Sequence, residues 1–316
     1  MRVGIHGLNF GQVAGDIPTM LRLARRADEL GFDSVWVGDH IIIPTQIASA
    51  YPFSPSGTPP FKPEESALEP LTLLSYLAGC TSRLQLGISV LIVPHRNPLY
   101  TAKVLSTLDV LSSGRVVCGV GSGWMREEFD ALGLHFDRRG AETDEWIRIF
   151  KVCWMDADPE YHGRLYAFAK VKFEPKPIQK PHPPIWVGGH SRAALRRTAR
   201  HGDGWHPVGA IAASPLPPQE MSAHLATLKQ MTEAEGRDFK ALTISYKAPL
   251  YDTGIPDRDG ARRSFSGHPD EIAGDIRSFA AIGVHELIFD CRSESIAHSI
   301  ERLQRFAAEV MPLVKD

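Results

Sequence analysis

The chain has 316 residues, 43% of them apolar, with 35 basic against 37 acidic side chains. Such a length and apolar content suit one large core, so a single domain over residues 1–316 is expected. The near-balance of charge supplies no field that would favour nucleic acid or an anionic membrane, and it directs attention to a small-molecule partner.

Four cysteines, Cys80, Cys118, Cys153 and Cys291, stand far apart in or beside apolar stretches and form no CxxC pair. They read as buried free thiols, and no metal site is expected. The opening segment MRVGIHGLNF has one basic residue and an apolar run too short for a signal peptide. No stretch approaches the roughly 20 apolar residues of a membrane span, so the expected location is the cytoplasm.

In chain order, short β-rich runs alternate with longer amphipathic ones. Strands are expected at 3–6, 34–37, 84–93, 115–120, 185–187, 204–208, 242–248 and 286–289, and helices at 18–30, 71–78, 99–111, 144–154, 193–200, 220–235, 270–282 and 295–310. Eight strand-helix units are the number that closes a (β/α)8 barrel, and closure places the active site at the C-terminal ends of the strands. Two segments interrupt the rhythm: 44–69, rich in Pro and Ser and read as a substrate lid, and 156–184, with a hairpin expected within 161–173.

Polar residues just after expected strands are the first candidates for chemistry. Asp39 and His40 follow the run at 34–37 directly, in GFDSVWVGDHIIIP. At a barrel rim a histidine exchanges protons near neutral pH and an aspartate orients a ring or accepts from an N–H; the competing role for Asp39 is a helix cap. Gly119, Gly121 and Gly123 follow the fourth strand and clear side chains where a flat ligand approaches the backbone. Gly188 and Gly189 end the fifth strand just before a helix, an arrangement that suits a phosphate or, equally, a tight turn capped by Ser191. His206 also falls at a rim position and reads as structural.

Four blocks, GFDSVWVGDH, GISVLIVPHRNP, LSSGRVVCGVGSGWMREEFDALG and PPIWVGGHSRAALRRTARHGDGW, together with the smaller RRGAETDEW, resemble the luciferase-like monooxygenase family and, within it, the branch of F420-dependent oxidoreductases. The resemblance implies a bacterial-luciferase-like (β/α)8 TIM barrel with insertion loops at the strand C-terminal face. It also implies a cofactor, the deazaflavin coenzyme F420 or alternatively FMN, lying over the strand ends.

By the same resemblance, Asp39 hydrogen-bonds the cofactor ring and His40 gives or takes its proton. Ser89 and Val90 sit where that family often has a cis peptide bulge behind the ring. Gly121, Ser122 and Gly123 pass close to the ribityl chain, while Gly188, Gly189, His190 and Ser191 hold the phosphate. Trp124 stands where several F420-using relatives carry a carboxylate. It is read as stacking on the substrate or walling the pocket, with anchoring of the next helix as the competing role.

Tyr51 and Phe53, with Phe61, are candidate substrate contacts; Arg96 and Arg138 suit either a cofactor tail or structural ion pairs. The implied activity is hydride transfer between F420 and a small organic substrate. One alternative is an FMNH2-dependent monooxygenase that uses oxygen and a separate reductase; another is a flavin-binding barrel without turnover. The resemblance further implies a homodimer.

Overall fold

The computed structural model describes residues 1–250, 254–256, 260–290, 292 and 295–314. Eight parallel strands form the barrel: β1 (Arg2–His6), β2 (Ser34–Val37), β3 (Gln85–Ile88), β4 (Val116–Gly121), β5 (Ile185–Gly188), β6 (Gly204–His206), β7 (Thr243–Pro249) and β8 (Glu286–Asp290). Each pairs with its sequence neighbour. The ring closes where β1 pairs with β8 in the register Arg2↔Glu286 through His6↔Asp290. Strands β2 and β4 are buried along their whole length, as expected for parallel strands covered by helices.

Capping residues set where several helices begin. Asp16 accepts from the Thr19 amide with a proline in the first turn, Asn97 accepts from Leu99 and Tyr100, and Ser191 accepts from Ala194. Helix Pro98–Leu111 packs on Arg139–Met155, and Arg192–His201 packs on Pro218–Ala234, so the apolar core lies chiefly between the strand ring and these helices.

A smaller cluster of Trp36, Val117, Trp186 and Ile288 fills the ring itself. The Trp36 and Trp186 rings stack at 5.2 Å. Gly87 is needed beneath them, because a Cβ there would lie 2.3 Å from the Trp36 ring. Below this plug, Arg2 bonds Gln85 at 3.1 Å and pairs with Glu286 at 2.9 Å, and the Trp36 indole donates to Ser34 at 2.7 Å. The bottom of the barrel is closed by this packing and polar bonding.

The expected eight-unit order is present, with local differences. The strand expected at 84–93 is broken by a cis peptide between Ser89 and Val90 and resumes at Leu91–Ile92, which pairs with β4. The hairpin expected within 161–173 is shorter, Tyr161–His162 against Ala167–Phe168. Helix Arg139–Met155 begins earlier than expected, and a short helix, Arg126–Ala131, precedes it.

Cys118 and Cys153 are buried, and burial pushes their thiols up to about 12 and about 11. Cys80 is only half-buried, and Cys291 lies outside the described residues.

Candidate active site

A cavity of about 610 Å³ opens at the C-terminal ends of the strands. One wall is the bulge of Ser89 and Val90. The roof comes from the 44–69 segment, which contributes Tyr51, Phe53 and Phe61, and Trp124 closes a side. That segment is tied down at both ends of its span. The Ala48 and Ser49 amides donate to Glu127 at 2.8 and 2.9 Å, while Gly11 donates to Ser66 at 2.9 Å and Leu68 to Asn9 at 3.0 Å. Trp124 meets Tyr51 edge to face at 5.1 Å, so it forms part of the wall and faces the 44–69 segment.

His40 lies on the rim among Phe10, Phe61 and Trp124, with centroids 5.2–6.3 Å away. Its Nδ1 is 2.6 Å from Glu128 Oε2, on the buried side of helix Arg126–Ala131. The other Glu128 oxygen accepts from the Ile41 and Ile42 amides at 2.8 and 3.3 Å. Glu128 therefore serves as acceptor, Nδ1 carries the hydrogen, and Nε2 is left toward the cavity that the ring lines. His95, 3.8 Å from the same carboxylate, is held below its usual range first by burial.

Asp39 lines the cavity, and its carboxylate is engaged by protein groups. Its two oxygens accept from Arg96 at 2.7 and 2.8 Å, and one of them also accepts from the Ile92 amide at 2.8 Å. Arg96 continues to Glu69 at 2.9 Å, so it belongs to a structural ion-pair network. The Asp39 carboxylate pins the chain immediately after the cis bulge, and Gly38 beside it makes room for Phe10. Arg138 is exposed, away from the cavity.

The glycines also prove specific. Gly188 and Gly189 line the cavity, whereas Gly121, Ser122, Gly123, His190 and Ser191 are not among its lining residues. A Cβ on Gly121 or Gly188 would lie 2.4 or 2.6 Å from a Val90 methyl. A Cβ on Gly123 would lie 2.8 Å from Phe129 and 2.9 Å from Ile92. These glycines clear space for the bulge and its supports. Gly189 has φ +86° and leads into the helix capped by Ser191. His190 Nδ1 beside it is buried and has no hydrogen-bond partner among the described residues.

Sequence reasoning missed the part of the cavity built by the ends of β7, β8 and β1. His6 ends β1, Lys247 lies near the end of β7, Asp290 ends β8 and Arg292 follows it; all four line the cavity. Lys247 Nζ is 2.9 Å from His6 Nε2, and Asp290 is bound by the Arg292 guanidinium at 2.5–3.1 Å. Burial first, then the Lys247 charge, lowers His6 to about 3, and burial lowers Lys247 to about 7.

His206 holds the rim position expected of it. It lines the cavity, stacks on Trp36 at 5.0 Å, and joins Ser89 Oγ at 2.7 Å to Ser245 Oγ at 2.8 Å. Burial holds it well below its usual range, hence neutral. The signal for this group was available: a polar side chain at the C-terminal end of an otherwise apolar strand. Glu128 had no such signal, because it is one of two adjacent glutamates on a short helix.

The sequence profile of luciferase-like monooxygenases matches residues 1–253. An uncharacterized protein of Mycobacterium tuberculosis is 33% identical over 229 residues, covering 72% of this chain and 76% of that protein. The FMNH2-dependent dimethylsulfone monooxygenase of Pseudomonas putida is 27% identical over 292 residues, covering 78% and 79%. The coenzyme F420-dependent tetrahydromethanopterin reductase of Methanopyrus kandleri has the same fold, with a TM-score of 0.76 at 17% identity over 99% of each chain. With the profile match covering the barrel from β1 through β7, the chain belongs to the luciferase-like monooxygenase family.

Proposed function

We propose that this protein is an oxidoreductase that exchanges a hydride between coenzyme F420 and a small organic substrate. The observation that carries the reading is the His40–Glu128 pair at the rim of a cavity backed by the Ser89–Val90 bulge.

The residues present fit a flat tricyclic cofactor. Val90, seated in the space left by Gly121 and Gly188, offers an apolar surface for a ring, with Ile92 beside it. The backbone of Gly188 and Gly189 runs toward the amides opening helix Arg192–His201, where an anion gains from N–H groups and the helix dipole. His190 Nδ1, buried and unpartnered among the described residues, suits a phosphate oxygen there. A deazaflavin bound in this cavity supplies or accepts the hydride.

The chain's own residues do the rest. Glu128 holds His40 Nδ1–H, so Nε2 exchanges a proton at the rim side of the cavity. Asp39 and Arg96 fix the backbone that carries His40 and the bulge, a positioning role. The 44–69 segment excludes water from above, with Tyr51, Phe53 and Trp124 as the substrate's apolar contacts.

The second reading, an FMNH2-dependent monooxygenase fed by a separate reductase, draws on the 27% identity to the dimethylsulfone enzyme. A homodimer is part of the same proposal. Tyr76, Tyr100 and Leu111, exposed on the helices after β2 and β3, supply apolar surface for it, and a monomeric mass in solution removes it. The test of cofactor is fluorescence titration of the purified protein with oxidised F420 and, in parallel, FMN. Tighter F420 binding upholds the hydride-transfer reading, and preference for FMN replaces it with the monooxygenase.

A further inference from the structure

We propose that the outside of the barrel, between helices Pro218–Ala234 and Pro269–Ala281, carries a second binding site, for a small anionic amphiphile: a carboxylate on an unbranched alkyl chain. The site stands apart from the cofactor reading above and does not depend on it.

The helix layer has a gap there. Helix Pro218–Ala234 packs on Arg192–His201 on one side, but among the described residues no comparable packing joins it to Pro269–Ala281 on the other. A cavity of about 360 Å³ lies in this gap. Leu225, Leu242 and Ile244 form its buried floor, and Phe239 and Ile282 flank it half-buried. Ile244 lies near the start of β7 and His285 just before β8, so the cavity sits at the N-terminal ends of these strands. The active-site cavity takes Lys247, Pro249 and Asp290 from their C-terminal ends, and the two share no lining residue.

The polar side chains of the second cavity are all donors. Lys229, Lys240 and His285 line it, and no carboxylate does. Both lysines are exposed, and no ion pair holds Lys240 among the described residues. Lys229 reaches Glu233, one turn further along its helix, at 3.9 Å, an exposed pair of little strength. The Ile244 amide donates to His285 Nδ1 at 2.9 Å, and burial holds that ring below its usual range, so its hydrogen is on Nε2.

Two ammonium groups and one N–H beside an apolar floor call for a ligand with a negative head and an apolar body. The volume lies near the lower end of the usual range of small-molecule pockets, about 300–1,000 Å³. An alkyl chain leaves nothing unsatisfied on the floor, whereas a peptide segment would bury backbone amides against Leu225, Leu242 and Ile244 without partners.

Two experiments on the purified full chain test this. In the first, decanoate bearing a diazirine is photolysed on the protein and its adducts are mapped by peptide mass spectrometry, with hexanoate, octanoate or octanol in competition. Adducts on residues 225–229 or 282–285 are expected, suppressed by octanoate at concentrations where octanol has no effect. Octanoate should compete more tightly than hexanoate by about fourfold for each added CH2. Adducts confined to the cavity at the strand C-terminal ends, equal suppression by octanol, or no gain with chain length overturns the proposal.

In the second, Lys229→Gln combined with Lys240→Gln changes only exposed side chains. Adduct yield at 225–229 and 282–285 is expected to fall at least tenfold, with the melting temperature unchanged and labelling of the active-site cavity unaffected. A yield within twofold of wild type overturns the proposal. Neither result involves F420, so failure here and failure of the oxidoreductase reading are told apart.

Discussion

Nδ1 of His40 lies 2.6 Å from Oε2 of Glu128, although 88 residues separate the two in the chain. The same carboxylate collects the Ile41 and Ile42 amides, so one buried side chain sets both the ring's tautomer and the path of the backbone beyond it. Glu128→Gln keeps an acceptor for those amides but no longer enforces the hydrogen on Nδ1. We expect kcat to fall roughly 10–100-fold with cofactor affinity retained, and His40→Ala to fall by about 10²–10⁴-fold with near-normal folding. Steady-state kinetics across pH, beside a thermal melt, checks both; full activity in either variant removes that residue from the proton path.

The bulge depends on two absent side chains. In Gly121→Ala the new methyl would stand 2.4 Å from Val90 Cγ2, and in Gly188→Ala 2.6 Å from Val90 Cγ1. Each single variant is expected to weaken cofactor binding at least tenfold by displacing Val90. Val90→Ala in the same chain removes the methyls that collide, so the double variants should recover much of the loss. Additive losses in that double-mutant cycle would contradict the packing argument.

Arg96 has its counter-charge in a nearly dry site, since the Asp39 side chain is 0% exposed. Removing one partner strands the other, which costs about 3–5 kcal/mol. Arg96→Met should therefore lower the denaturant midpoint strongly, and Asp39→Asn combined with it should restore part of the stability. If Arg96→Met unfolds at the wild-type midpoint, the pair is not holding the rim.

Acid should destabilise the fold earlier than carboxylate titration alone. His6 is lowered to about 3 and His206 well below 6.5, so the unfolded chain takes up protons that the native state refuses. Stability present above about 6.5 is lost progressively as pH falls toward the folded values. Lys247, lowered to about 7, acts over another window: the unfolded state binds more protons between about 7 and 10.5, so its penalty is full below 7 and fades as pH rises. Melting curves from pH 5 to 10.5 should show a rising acid limb that flattens in His206→Gln. Lys247→Met should gain a few degrees at pH 7 and little at pH 10.5. A Lys247→Met gain that is equal at both values would contradict the buried amine.

How far the sequence reaches can be judged from particular residues. The barrel was legible because apolar runs such as VVCGVG recur at the spacing of strand-helix units, and the rim location of Asp39 and His40 followed from the strand before them. The partners were not legible, because they are matched only through space: Arg96 to Asp39, Glu128 to His40, Lys247 to His6. The glycines misled in part. A glycine after a strand signals a close approach, but sequence does not say whether the approaching atom belongs to a ligand or, as at Gly121, to Val90.

The stacked indoles of Trp36 and Trp186 seal the lower end of the barrel, and the 44–69 segment roofs the upper one. A chamber closed from below imposes a queue. Whatever rests against Val90 enters before the molecule that settles beneath Phe61, and departs after it. Turnover should therefore follow a compulsory order, with the inner ligand leading, and product-inhibition patterns should carry the signature of sequential rather than random addition.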